Sequence, residues 1–231
     1  MGEIAYTTTC QSCFNEKNDI QPFKILHLDM DPSLNGRLHT LESCFKYTTR
    51  KEFIQNENSV SCQHCSKKTE CSRSSTLLRL PKVLILAVKR FVKCKEKKKL
   101  VKNNDAVKFD CLINLTNLHP HTPCIHYELV AVGHHFGDLE GGHCFATTYN
   151  KQMNNWFKYN DEAVTKIQPE VDLFNQKSYE IANIFVFSST LSDVQNTPLS
   201  FFPPTSVNQP FFQHGYFNQP HNKHFMWNLP Q

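Results

Sequence analysis

Two Cys-x-x-Cys pairs, Cys10-Gln11-Ser12-Cys13 and Cys62-Gln63-His64-Cys65, constrain this chain more than any other feature. A Cys-x-x-Cys turn lets two thiolates converge on one tetrahedral ion at about 2.3 Å, and a second such turn closes the shell. A closed four-sulfur shell leaves no open position, so the implied zinc is structural. The 48 residues between the pairs exceed the spacing of a compact zinc finger. That separation places the two knuckles at the tips of different hairpins. Cys71 and His64 are the alternative ligands, ranked below the four cysteines named. A disulfide framework is the competing use of 10 cysteines. The N-terminus, Met1-Gly2-Glu3-Ile4-Ala5-Tyr6, lacks the basic and apolar regions of a secretory signal, which favours a reducing compartment and metal-bound thiols. A cytoplasmic or nuclear location is the corresponding expectation, and the sequon Asn114-Leu115-Thr116 is then accidental. Cys44, Cys94, Cys111 and Cys124 read as unpaired thiols.

The rest of the chain has globular composition, 39% hydrophobic and 12% aromatic, and no apolar run approaches the ~20 residues of a membrane span. The longest run, Val83–Val88, has the length of a buried strand. Twenty-five basic against 21 acidic side chains give +4, too little to argue for nucleic acid. Much of the excess sits in Lys93–Lys99, which reads as a solvated loop between strands. Strand-like segments recur at 23–28, 75–80, 82–92, 126–135, 143–149, 155–159 and 179–187, rich in Val, Ile, Phe and Tyr. A short helix is expected around Leu38, Leu41 and Phe45, which share one helical face. Few helical signals interrupt the strands, so the fold class is antiparallel-rich α+β. Residues 1–188 form the folded part. In 189–231 only Asp193 and Lys223 carry full charge, while Phe, Pro, Asn and Gln dominate without periodicity, the composition of a disordered tail.

The stretch from Gly141-Gly142-His143 to Trp156-Phe157-Lys158-Tyr159-Asn160-Asp161 carries its own geometry. A hairpin pairing Tyr149 with Trp156 puts His143 opposite Glu162 and diagonal to Asn160, on one sheet face. A side-chain carbonyl beside an imidazole N–H fixes its tautomer and leaves the other nitrogen as a base. The preceding glycines permit another backbone to approach closely.

This stretch resembles the histidine box of the ubiquitin-specific proteases. Leu80-Pro81-Lys82-Val83-Leu84-Ile85-Leu86-Ala87-Val88-Lys89-Arg90-Phe91 is similar to that family's Leu-Pro-Lys-x-Leu-x-x-x-x-Lys-Arg-Phe strand. The two knuckles match its zinc-bearing fingers, and Ser178-Tyr179 before Ile181–Phe187 resembles the closing strand of its catalytic domain. The resemblance spans residues 2–187. It implies the papain-like hand fold of these proteases, here the fingers and palm portion with zinc-ribbon fingers. It also implies thiol-dependent hydrolysis of the isopeptide bond after ubiquitin's C-terminal Gly. His143 would be the general base, Asn160 its orienting partner, and Asp161 the adjacent acidic residue that also qualifies. On a regular strand Asp161 points to the other face, which favours Asn160. Structural zinc on Cys10, Cys13, Cys62 and Cys65 is the implied cofactor. Ubiquitin or ubiquitin-conjugated proteins are the implied partners, with no nucleic acid, membrane or obligate oligomer expected.

Three features depart from the family pattern. Its nucleophile box, Gly-Asn-Thr-Cys-Tyr, has no counterpart, and neither does the thumb that carries it. Ala87 stands where His is frequent, and Asp110 follows Phe109 where Pro is usual. Cys144 neighbours His143 but should project from the opposite strand face, and Cys10 and Cys13 are committed to zinc. The polypeptide alone is therefore expected to be inactive, as the C-terminal part of a catalytic domain. The alternatives are an inactive descendant that still binds ubiquitin or a ubiquitin-like protein, and a zinc-ribbon interaction or nucleic-acid module with no ubiquitin link.

Overall fold

The computed structural model describes residues 1–94, 99–115 and 126–190. Most of the Lys93–Lys99 run, Cys124, Thr116 and the expected tail beyond Thr190 lie outside those residues. Eighteen strands and two α-helices appear among the described residues.

The chain opens with β1 (Gly2–Cys10) and β2 (Glu16–Phe23), an antiparallel hairpin with register from Gly2↔Phe23 to Thr9↔Glu16. Sequence patterning misses both strands. β1 is rich in Thr, and β2 is exposed along nearly its whole length, so neither shows the apolar alternation of a half-buried strand. β3 (Ile25–Leu28) follows, and then β4 (His39–Thr40).

Helix α1 (Leu41–Thr49) starts where Thr40 caps it. The Thr40 hydroxyl accepts from the Ser43 N–H while Ser43 Oγ accepts from the Thr40 N–H, a capping box built with Ser. The cap excludes Leu38, which is 52% exposed, so the expectation for that residue is wrong. Leu41, Cys44 and Phe45 form the buried face instead.

Next come β5 (Glu52–Ile54), β6 (Val60–Cys62), β7 (Lys67–Thr69) and β8 (Cys71–Arg79). One antiparallel sheet runs β2-β1-β8-β5, while β6 and β7 form a separate two-stranded hairpin.

The larger sheet uses β9 (Val83–Val88), the apolar run identified above, as an interior strand between β3 and β18 (Ala182–Ser189). Between these in sequence lie β10 (Phe91–Cys94), β11 (Lys99–Lys102), β12 (Val107–Lys108), β13 (Leu112–Asn114), β14 (His126–Gly137), β15 (Gly142–Asn150), β16 (Asn155–Asn160) and β17 (Ala163–Ile167). The sheet order is β17-β16-β15-β14-β18-β9-β3, antiparallel except for β3 and β9. β13 shares one edge of β14 with β15. Helix α2 (Gln176–Ile181) covers Tyr179–Ile181, which patterning assigned to a strand. Asn175 caps it by accepting from the Ser178 N–H, and extended structure begins only at Ala182.

The core joins both sheets through Leu28, Phe45, Leu77, Leu84, Leu86, Phe109, Tyr127, Phe185 and Phe187. Phe109 meets Phe174, Tyr179 and Phe185 at ring-centroid separations of 5.6, 5.3 and 4.9 Å.

Arg90 is 1% exposed in the same region. Its guanidinium donates to four carbonyls, those of Ala182 (2.9 Å), Asp105 (2.8 Å), Asn103 (3.2 Å) and Tyr179 (2.7 Å). Burial lowers its pKa to about 10, leaving it charged at neutral pH. The Lys-Arg-Phe signature thus supplies a cross-link between the start of β18, α2 and the 103–105 loop.

His134, on β14, is a buried polar group within the larger sheet. Its ring stacks on Phe145 at 4.5 Å, and its Nε2 lies 3.1 Å from Thr147 Oγ1. Burial, with help from Lys158, lowers its pKa from 6.5 to about 4. The unfolded ring gains its proton near pH 6.5, and the folded ring only near 4. Between those values the unfolded chain holds the extra proton. This contribution to stability is therefore complete above pH 6.5 and falls as the pH drops toward 4, by about 3 kcal/mol at most. Melting temperature against pH should slope less steeply in His134→Leu across that window. An identical slope would show that another group carries the dependence.

Candidate active site and metal centre

The four cysteines converge. Cys10 ends β1 and Cys13 closes the turn into β2, while Cys62 ends β6 and Cys65 lies in the turn before β7. The knuckles sit at the tips of two hairpins, as their spacing required. Phe14 and Ser66, just beyond each knuckle, take left-handed backbone conformations with φ of 58° and 53°. These residues turn the chain back on itself while both sulfurs of each pair stay on one side.

All four Sγ atoms lie within 4.8 Å of one another, with Cys10–Cys65 at 3.9 Å and Cys13–Cys62 at 3.7 Å. The edge of a tetrahedron with zinc–sulfur bonds of about 2.3 Å is about 3.8 Å. These two separations match that edge, and the four-sulfur donor set suits zinc. Cys71 and His64, the alternative ligands, are outside this quartet.

The crowding has an electrostatic consequence. The Thr69 hydroxyl is the largest influence lowering the Cys10 thiol to about 5, whereas the neighbouring Cys13 side chain is the largest influence raising Cys65 to about 12. The Cys10 thiol therefore ionises readily, while opposition led by the neighbouring Cys13 side chain keeps the Cys65 proton in place. A bound dication removes that opposition and releases protons as it enters.

The histidine segment lies on the larger sheet. β15 pairs with β16 from Asn150↔Asn155 through Tyr149↔Trp156 to Ala146↔Tyr159. Beyond that point the geometry differs from a continued hairpin. His143 is paired with Phe136 of β14, not with Glu162, and Asn160 pairs with Ala163 of β17. The cause is Asp161, whose φ of 52° turns the chain sharply from β16 into β17.

His143 and Asn160 still meet: His143 Nε2 contacts Asn160 Oδ1. Asp161 Oδ2 is 3.9 Å from the same nitrogen. The strand-alternation argument against Asp161 fails because Asp161 is in a turn, where alternation does not apply. His143 is 48% exposed and Asp161 77%. Both oxygens face Nε2, so Nε2 carries the proton and Nδ1 is the basic nitrogen. Gly142 does permit a close approach: a Cβ there would lie 2.6 Å from the Phe136 carbonyl oxygen and 2.6 Å from His135 Nε2, whereas Gly141 borders open space. Cys144 is exposed and pairs with His135, one position out of step with His143, so it projects from the other face.

A mixed sheet carrying a partnered histidine, together with two hairpins whose tips bring four cysteines together, is the architecture of the deubiquitinating cysteine proteases, and solved structures bear out that fold. Over 82% of its length the chain is similar to a chain of the yeast SAGA deubiquitinating module with a mutant Sgf73, with 27% identity, TM-score 0.69 and 41% of that chain covered. It is also similar to the SAGA Ubp8/Sgf11/Sus1/Sgf73 module bound to ubiquitin aldehyde, with 26% identity, TM-score 0.67, and 82% and 41% of the two chains covered. A family model described as Ubiquitin carboxyl-terminal hydrolase matches residues 2–187. The chain belongs to that family, as one of its ubiquitin-specific proteases.

Among relatives, Ubiquitin carboxyl-terminal hydrolase 4 of Saccharomyces cerevisiae is 29% identical over 199 residues, covering 77% of this chain and 21% of that protein. Ubiquitin carboxyl-terminal hydrolase Usp2 of Drosophila melanogaster is 26% identical over 183 residues, with 78% and 19% covered. Ubiquitin carboxyl-terminal hydrolase 48 of Gallus gallus is 30% identical over 169 residues, with 72% and 16% covered. The chain spans about a fifth of the length of these relatives.

Proposed function

We propose that this chain supplies the ubiquitin-gripping surface and the base of a thiol-dependent deubiquitinase, working in the cytoplasm or nucleus. The observation that carries the reading is the contact of His143 Nε2 with the Asn160 side-chain oxygen, within a sheet of the family's fold. With Nε2–H held by Asn160, and Asp161 3.9 Å from the same nitrogen, Nδ1 accepts the proton of an approaching thiol. The thiolate attacks the carbonyl carbon of ubiquitin's C-terminal Gly. His143 returns the proton to the departing amine, and the thioester is then hydrolysed by water that His143 deprotonates.

Among the eight cysteines whose side chains the structure describes, none suits the role of nucleophile. Four converge in the metal cluster, Cys44 and Cys71 are buried, Cys144 faces away from His143, and Cys111 lies outside the histidine segment. The polypeptide by itself is thus expected to bind ubiquitin without cleaving it. Zinc, held by Cys10, Cys13, Cys62 and Cys65, would supply structural cross-linking and no chemistry. The test is whether ubiquitin bearing a C-terminal electrophile is retained but not covalently captured. Covalent capture would overturn the assignment of an incomplete site, and the absence of any complex would overturn the assignment of a ubiquitin-binding surface.

A further inference from the structure

We propose that Thr69 is a positioning residue of the zinc centre, an inference that rests on the zinc reading above. Its hydroxyl donates a hydrogen bond to Cys10 Sγ and holds that thiolate as the anchor of the site. Thr69 is the buried member of β7, 6% exposed, while Lys67 and Lys68 face solvent. A buried hydroxyl requires a partner, and Thr69 Oγ1 lies 3.2 Å from Cys10 Sγ. A zinc-bound sulfur has no hydrogen to give, so the hydroxyl is the donor.

Cys10 is also the buried ligand of the four, the other three being partly exposed. The Ser12 N–H approaches the same sulfur at 3.4 Å. Two donors on one thiolate withdraw charge from a centre that carries four thiolates around a dication, and they fix the direction of that sulfur's lone pairs.

The bond also spans a structural gap. β6 and β7 pair only with each other, a two-stranded hairpin that is marginal alone in water. Thr69 ties the end of β7 to the end of β1, joining the same two hairpins that the metal joins. Ligand geometry and outer hydrogen bond therefore select the same docked arrangement, and each is expected to strengthen the other.

The experiment compares the wild-type chain with Thr69→Val and Thr69→Ser. Zinc affinity is measured by competition with a chromophoric chelator, and the sulfur-to-metal charge-transfer band is recorded with Co(II) in place of zinc. Thr69→Val keeps the shape and loses the donor, so its zinc affinity should fall about 10–100-fold. Its Co(II) band should move to lower energy, because a sulfur without its hydrogen bond gives up charge more easily. Thr69→Ser keeps the donor and should stay close to wild type in both readouts. A Val variant with unchanged affinity and band position would overturn the role of Thr69, as would a Ser variant as weak as Val, which would assign the effect to the lost methyl packing. A wild-type chain that binds neither metal would overturn the zinc reading and this role together.

Discussion

Replacing Cys62 by alanine is expected to empty the metal site and to unfold the β6–β7 hairpin while the larger sheet survives. The effect should be large because the hairpin has little else to hold it. It contributes one buried residue, Thr69, and shares no backbone ladder with a third strand. Structural zinc in small modules supplies folding free energy directly, and several kcal/mol of it should vanish with one ligand of four. At roughly 2–4 °C per kcal/mol for a domain of this size, the melting temperature should drop by about 10 °C or more. Hydrogen exchange should speed up at residues 60–69 and at the β1–β2 tip, but not along β9, β14 or β18. Unchanged metal content and an unchanged melting temperature would remove zinc from the account.

Arg90→Met should be comparably damaging, by a different route. Methionine fills much of the volume but donates nothing, leaving the carbonyls of Ala182, Asp105, Asn103 and Tyr179 facing a thioether. Each hydrogen bond from a charged donor contributes about 1.5–3 kcal/mol, and a buried acceptor left unpaired costs about 1–3 kcal/mol. A loss of about 3 kcal/mol or more in chemical denaturation is expected. Arg90→Lys should recover only part of it, because an ammonium cannot spread donors in the planar fork that four separated carbonyls require. A Met variant as stable as wild type would mean that water satisfies those carbonyls and that the guanidinium is replaceable.

These two positions show what was legible in the sequence. The cysteine quartet could be read because ligand spacing is a local geometric rule, and the solution it demanded, two hairpin tips, is the one adopted. β9 could be read because a strand paired on both edges, with both faces buried over Leu86–Val88, is continuously apolar. The meeting of His143 with Asn160 was also reachable from hairpin register, although the ladder itself ends at Ala146↔Tyr159.

The remainder escaped for physical reasons. β1 and β2 belong to a thin, solvated sheet whose strands need no apolar alternation. Leu38 has the right helical phase but lies on the wrong side of the Thr40 cap. Tyr179–Ile181 continue an apolar pattern into β18, and only the Asn175 cap marks them as helical. Asp161 takes a left-handed turn conformation that strand alternation cannot anticipate, and this brings a second oxygen toward His143. Arg90 carries a motif without announcing its role, since its partners are backbone carbonyls distant in sequence.

The most direct test of the account is mass spectrometry of the purified chain mixed with ubiquitin carrying a C-terminal electrophile, recorded first under native and then under denaturing conditions. The account predicts a one-to-one complex in the native spectrum that separates completely on denaturation, leaving both masses unmodified. A covalent adduct that survives denaturation and maps to one cysteine would contradict it, because this chain would then carry its own nucleophile.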